Sequence, residues 1–347
     1  MDSTDMRSHI QKQGISAVKT LEKNRRQIEN FAANAEFDRI IINGAGDKYL
    51  VGLTASYLWR KFGREPLSVI HSRDLADNPP YMDEKSLVIF YSQSGKTKDT
   101  VDAAKVVVEK KAQSVLITNL REELPNSLWS LKKQGGTIFT TQTEIYPERS
   151  LPSTMTFQAT LSTLWHLLAE LSGKNMYDEL KSSAQLTDEL SRDKGVENAA
   201  KKMAERLAKE QSARYVMGDG PRYGLARKLG LIMCMEGVKI NAFPLESEEF
   251  LHSAIETLEN ENEVKLSNTV FMPPRGATFR NNAEKLVKFW SDYGTVHRIE
   301  AIEGVNDLFN PQPQIVLPIW VAYHEALLRG VDPGIGKLVS KIRSSGF

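Results

Sequence analysis

The sequence predicts an α/β protein of two tandem units, each a doubly wound parallel sheet between helices in three layers. Three observations carry this. Short apolar runs alternate with helical stretches, the order strand, glycine turn, helix occurs twice, and 347 residues exceed one ordinary domain while filling two comfortably.

Residues 10–35 read as a lone helix, with Ile15, Val18, Leu21, Ile28 and Phe31 in rough helical register, so 1–35 is expected as an N-terminal helix. From Arg39 apolar runs at 40–42, 68–70, 87–91, 115–118 and 137–140 read as parallel strands, and the apolar stretch 153–171 as the helix closing a first unit, 36–180. Polar residues 172–198 read as a connecting helix and a linker, 181–197. The pattern then restarts in a second unit, 198–347: a strand at 214–217, a glycine turn at 218–220 and a helix at 222–235 repeat the earlier order 40–42, 44–46, 47–59. Further strands are expected at 238–242, 269–272, 296–299 and around Ile315, before a last helix, 316–329, and a tail.

Charge and composition narrow the partners. Lys and Arg number 45 against 44 Asp and Glu, so no global field favours nucleic acid or an anionic membrane, and a small-molecule partner is expected. The one cysteine, Cys234, excludes a disulfide framework and a Cys-based zinc site, which fits a reducing compartment. Residues 1–13 are polar, and no run of about 18 apolar residues occurs, so a soluble cytoplasmic protein is expected. His166 and His324 lie on apolar helical faces and read as packing, while His71 and His297 have no second ligand at metal spacing. Neither a metal nor a cofactor is expected. The tryptophans Trp59, Trp129, Trp165, Trp290 and Trp320 are scattered and lack the basic interleaving of a nucleic-acid platform.

After the run 87–91 comes Ser92-Gln93-Ser94-Gly95-Lys96-Thr97, then a helix beginning near Lys98. Hydroxyls and free backbone N–H groups converge there on a helix N-terminus, which favours a dianion. Capping that helix needs one hydroxyl. Three hydroxyls and a glutamine cluster here instead, at the carboxyl end of a central strand, where open α/β sheets bind ligands. The segment is neither a dinucleotide fingerprint nor a P-loop, and Lys96 either assists a phosphate or is simply solvated. In the second unit Glu236 lies near a helix end, against the dipole, and Glu246-Ser247-Glu248-Glu249-Phe250-Leu251-His252 follows the next strand. A glutamate and a histidine are the usual pair for moving protons near neutral pH. On residue chemistry alone, Glu236 is equally a surface carboxylate and His252 equally a structural histidine.

At these residues the sequence resembles a known family. Ser92 to Thr97, with Thr100, is similar to the S-x-S-G-x-T phosphate loop of sugar-isomerase (SIS) domain proteins, and Gly44-Ala45-Gly46 matches the first-strand turn of that fold. From Arg39 onward the chain resembles the two-SIS arrangement of the isomerase half of glucosamine 6-phosphate synthase, of sugar-phosphate deaminases and of Amadori-product deglycases. The resemblance implies two tandem SIS domains, with Ser92, Gln93, Ser94 and Thr97 holding a sugar phosphate. Gly46 and Asp47 are candidate sugar contacts, although Asp47 and Lys48 depart from the small polar residues often found after that turn.

Two-SIS sugar enzymes carry a Glu and a His sixteen positions apart, the His within E-x-x-H-G-P, and Glu236 with His252 reproduces the spacing. The stretch from Glu246 to Glu256 looks like the E-S-G-E-F-x-H-G-P-x-E of fructoselysine and fructose-asparagine 6-phosphate deglycases. Asp77-Asn78-Pro79-Pro80-Tyr81 is similar to that subgroup too, as is the Gly220-to-Glu236 spacing, one residue longer than in the synthase and deaminase branch. Ser253-Ala254 replaces the family's Gly-Pro, Glu248 replaces a Gly, and the E-x-x-x-K-x-x-E of the isomerizing branch has no match before Glu236. In the synthase a tail lysine reaches the sugar carbonyl; Lys337 and Lys341 read first as part of a basic solvated tail, and a counterpart of that lysine is the other reading, its register not fixed.

The resemblance thus implies a cofactor-free deglycase acting on a 6-phosphorylated Amadori compound, with Glu236 as base and His252 as acid. It implies a homodimer whose active sites lie at the subunit interface, the histidine coming from the neighbouring subunit. The alternatives are a glucosamine 6-phosphate deaminase, an aldose–ketose isomerase, or a non-catalytic sugar-phosphate sensor. The last predicts a DNA-binding segment, for which residues 1–35 are too short and too balanced in charge. With no N-terminal nucleophilic Cys or amidotransferase region in this sequence, a full glutamine-dependent synthase is not expected.

Overall fold

A computed structural model of the chain describes residues 5–93, 95, 97–120, 124, 126–209, 213–259, 267–338 and 341. The first half runs α1 (Met6–Asn34), β1 (Arg39–Gly44), α2 (Asp47–Phe62), β2 (Leu67–His71), α3 (Ser72–Asp77), β3 (Ser86–Ser92), α4 (Lys98–Glu109), β4 (Gln113–Thr118), α5 (Asn126–Lys133), β5 (Thr137–Thr140) and α6 (Met155–Leu171). The five strands pair in parallel in the order β2-β1-β3-β4-β5. Every residue of β3 is buried, because helices cover both faces of a central parallel strand, and this is why its sequence is apolar without alternation. On one face Ile41, Val88, Phe90 and Leu116 pack with Ala103, Ala104 and Val107 of α4. On the other α2 packs on α6, and Gly52 lets that layer close in, since a Cβ there would lie 2.7 Å from Ile42.

The stretch 181–197, expected as a linker, is helical: α7 (Tyr177–Arg192) and α8 (Lys194–Leu207) are separated only by Asp193. Its carboxylate accepts from the N–H groups of Gly195 and Val196 and starts α8. Two compact bodies result, one of residues 13–144 and 155–186, the other of the described residues within 1–12, 145–154 and 187–347. Among the described residues no helix is long and apolar enough to cross a membrane.

The second body contains β6 (Arg214–Met217), a 3-10 turn (Gly220–Arg222), α9 (Tyr223–Arg227), a π-helix (Lys228–Val238), β7 (Ala242–Leu245) and α10 (Ser247–His252). A second 3-10 turn (Ala254–Glu259), β8 (Ser267–Phe271), α11 (Arg280–Trp290), β9 (Thr295–Ile299), α12 (Pro311–Gln314) and α13 (Val316–Leu328) follow. The strands are parallel in the order β7-β6-β8-β9, the same winding as the first four of the other sheet. Phe250 of α10 stacks on Trp290 at 4.4 Å, with Tyr215 of β6 against both.

Two expectations are corrected. The strand expected at 238–242 begins only at Ala242, because Val238 closes the π-helix and Lys239 turns the chain in the left-handed region, φ 67° and ψ 39°. No strand forms around Ile315; Pro311 opens α12, and Ile315 leads directly into α13. The helix expected at 222–235 is a composite. A π turn holds about one residue more than a turn of ordinary α-helix, so Lys228–Val238 makes fewer turns than an α-helix of that length would. Gly230 lets β7 approach this wide helix, since a Cβ there would meet Pro244 at 3.1 Å. Beneath it Arg214 donates to both oxygens of Glu325 at 3.0 Å, the two side chains being 5% and 0% exposed. Cys234 lies 3.6 Å from the same guanidinium, and burial pushes its thiol pKa up.

In the first body His166 of α6 has no exposed surface, its ring 5.1 Å from that of Tyr177 and its Nε2 3.6 Å from Glu170. Burial lowers its pKa from 6.5 to about 4. The unfolded chain therefore takes up this proton more readily, and the associated stability is full above about pH 6.5 and lost as the pH falls toward 4. At most ~3 kcal/mol is involved. Urea midpoints should fall between pH 7 and pH 4.5 in the wild type, and His166→Leu should flatten that part of the profile.

Candidate active site

In the five-stranded sheet the winding reverses between β1 and β3, and the crevice outside the carboxyl ends of such strands is where ligands bind. Both strands end there in turns the sequence singled out. At Gly44 a Cβ would lie 2.7 Å from the carbonyl carbon of Lys48, so only glycine lets the first turn of α2 lie across the strand end. Gly46, at φ 56° and ψ −130°, precedes Asp47, the first residue of α2.

Beyond β3, Ser92 is 4% exposed and its Oγ accepts the N–H of Gly95 at 2.9 Å, with Gly95 at φ 66°. This bond folds the loop back over its own strand. Gln93 is half-buried. Thr97 occupies the N-cap of α4, yet its side chain makes no capping bond, so the hydroxyl is not consumed by the helix. Ser94 and Lys96 lie outside the described residues.

A polar network behind this loop escaped the sequence reading. Ser72, at the start of α3, donates to Asn43 Oδ1 at 2.9 Å and lies 3.4 Å from the hydroxyl of Thr100 in the first turn of α4. Asn43 in turn donates to the carbonyl of Ile70. All three side chains are almost fully buried, and they tie the ends of β1 and β2 to the starts of α3 and α4. The available signal was a polar residue, Asn43, closing an otherwise apolar run.

In the second body Asp219 follows β6 and is 7% exposed. Its two oxygens accept from the N–H of Ser247 at 2.8 Å and from the Ser247 hydroxyl at 2.6 Å, which fixes the start of α10. Gly220 stands at φ 59°, with the Phe279 ring where a Cβ would be. Phe250 anchors α10 in the core, while Glu249 and His252 are exposed on it. Glu236 is half-buried in the last turn of the π-helix. The segment 145–154 also belongs to this body and meets the π-helix: Lys228, fully buried, donates to the Ser153 carbonyl at 2.7 Å. Leu151 N–H donates to Gly334 at 3.0 Å, bringing in the segment that contains Lys337, which is exposed. Among the described residues no three His, Cys, Asp or Glu side chains form a metal-holding group.

Residues 35–170, which hold the five-stranded sheet, match the model of the SIS domain. The matched span holds β1 to β5, the Gly44 turn and the loop after β3, while Glu236 and His252 lie outside it. Over 315 residues the chain is 25% identical to the isomerizing glutamine–fructose-6-phosphate aminotransferase of Pyrococcus horikoshii, covering 86% of this chain and 50% of that one. It thus spans about half the length of the curated relatives it matches. The fold is similar to that of tagatose-6-phosphate ketose/aldose isomerase from Escherichia coli, with a TM-score of 0.76, 18% identity and coverage of 95% of each chain. Glucosamine-6-phosphate deaminase from Thermotoga maritima gives 0.70 at 18% identity, covering 93% of this chain and 97% of that one.

Proposed function

We propose that this protein is a sugar-phosphate enzyme that hydrolyses a 6-phosphorylated Amadori compound to a hexose 6-phosphate and a free amine or amino acid. The observation that carries the reading is the loop after β3, whose Thr97 hydroxyl stands at a helix N-terminus without capping it. A phosphate dianion suits such a place. In this reading Ser92, Gln93, Ser94 and Thr97 hold the phosphate, and Gly46, Asp47 and Lys337 are sugar contacts.

Opening the sugar ring gives a C2 ketone beside a C1 amine. Moving a proton from C1 to C2 through an enaminol converts the amine to an imine, and water splits the imine into aldehyde and amine, so no electrons leave or enter. Glu236 takes the proton from C1 and returns it to C2. His252, supplied by a second copy of the chain in a homodimer, protonates the ring oxygen and then assists water. Holding the remote phosphate supplies binding energy that orients the reacting carbons. In the same reading the second body is a second SIS domain and the enzyme works in the cytoplasm. A second reading, an aldose–ketose isomerase or a deaminase, is favoured by the fold likeness to the E. coli isomerase and the T. maritima deaminase.

Separate incubations with fructoselysine 6-phosphate, glucosamine 6-phosphate and fructose 6-phosphate distinguish these, with free amine, ammonia and hexose phosphates assayed. Lysine and a hexose 6-phosphate are expected from the first. Ammonia from glucosamine 6-phosphate, with the first untouched, would overturn the deglycase in favour of the deaminase.

A further inference from the structure

The side chain of Lys239 reaches two backbone carbonyls: its Nζ donates to Glu236 O and, at 2.8 Å, to Ile335 O, 96 residues away in sequence. Lys239 caps the π-helix from the left-handed region, its N–H bonded to the Cys234 carbonyl. Glycine is the usual residue at such a helix end, and a side chain held there against backbone preference invites a reason in the side chain itself. Its surroundings supply one. Gly237 lies against the same segment, the Cβ position on it falling at ordinary contact distance, 3.7 Å, from Pro152 and from the Pro333 carbonyl. Asp332 Oδ1 accepts the N–H of Gly334 at 2.9 Å and shapes the turn before Ile335. Burial pushes the Lys239 pKa down, while the carboxylates of Glu236 and Asp332 act to raise it, so both lie within its electrostatic reach.

We propose that Lys239 is a positioning residue that clips the segment 332–337 onto the end of the π-helix, and so holds the Glu236 backbone and the approach of Lys337 in one arrangement. The π-helix has poorer hydrogen-bond geometry than an α-helix, and its final turn needs such a brace if a proton-transferring carboxylate is to keep its place. The catalytic part of this inference rests on the proposed role of Glu236. The clip itself does not.

The test uses the full chain with Lys239→Ala, Lys239→Asn and Lys239→Arg, the asparagine because it tolerates the left-handed backbone without offering an ammonium. With the Amadori substrate, Lys239→Ala and Lys239→Asn should lower kcat about 10-fold or more with KM within about twofold, and Lys239→Arg should restore most of it. Amide hydrogen exchange at Leu151 and over 334–337 should accelerate about 10-fold in the first two variants, with α13 as protected as in the wild type. Unchanged exchange at Leu151 in Lys239→Ala would overturn the clip, and a rise in KM at constant kcat would overturn the positioning role. A wild-type protein inactive on all three substrates would sink the functional reading instead, and the exchange measurement would still decide the clip.

Discussion

Glu236→Gln is expected to lower kcat on a phosphorylated Amadori compound by about 10³-fold while changing KM only a few-fold. The substitution keeps the size of the side chain and removes its ability to accept a proton, so a loss confined to kcat assigns the carboxylate to the chemical step rather than to binding. Glu236 is half-buried, and its own carbonyl is bonded by Lys239, so the replacement alters little of the packing around it. His252→Ala should cost a comparable factor. If the histidine serves the neighbouring subunit, mixing the Glu236 and His252 variants under conditions that exchange subunits should regain part of the activity. No recovery after proven exchange would remove the shared site from the reading, and a Glu236→Gln enzyme as fast as the wild type would remove the glutamate.

The largest effect on stability is expected from Glu325→Ala, at about 3–5 kcal/mol. Arg214 opens β6 and Glu325 lies on α13, and their paired hydrogen bonds are out of contact with solvent. Arg329, one turn along α13, bonds the same carboxylate. Removing the acid leaves the Arg214 guanidinium buried beside Cys234 without its carboxylate partner. Chemical denaturation at neutral pH measures the loss. Replacing both partners, Arg214→Met with Glu325→Leu, should recover most of it, because the cost lies in the unpaired charge rather than in the absent pair. A Glu325→Ala protein within ~1 kcal/mol of wild type would mean that water or a rearranged neighbour satisfies the arginine.

The first sheet could be read in the sequence because its central strands are buried on both faces, so β3 and β4 carry unbroken apolar runs, Leu87 to Tyr91 and Val115 to Ile117, between polar residues. The second sheet was harder. From Val238 to Ala242 apolar and polar residues alternate as they do in a half-buried strand, and nothing in the letters marks Lys239 as a left-handed residue that delays β7. The loop after β3 was legible because its hydroxyls are adjacent in the chain. The network of Asn43, Ser72 and Thr100 was not, since those residues come together only when three parallel strands and two helices assemble. The same holds for Lys239 and Ile335, and for Asp219, whose partner Ser247 belongs to the helix carrying His252. Local patterns announce themselves; clasps between distant segments require the fold.

The wide-turned helix between Lys228 and Val238 also says how this scaffold tolerates changes of length. A one-residue deletion in an ordinary helix would turn everything beyond it by about 100° relative to what came before. Here the same deletion could be taken up in part by tightening one wide turn of the π-helix, which lessens the rotation passed on to β7. Loss of a single codon at this place can therefore re-aim Glu236 with less disturbance of the sheet beneath than the same loss in an ordinary helix.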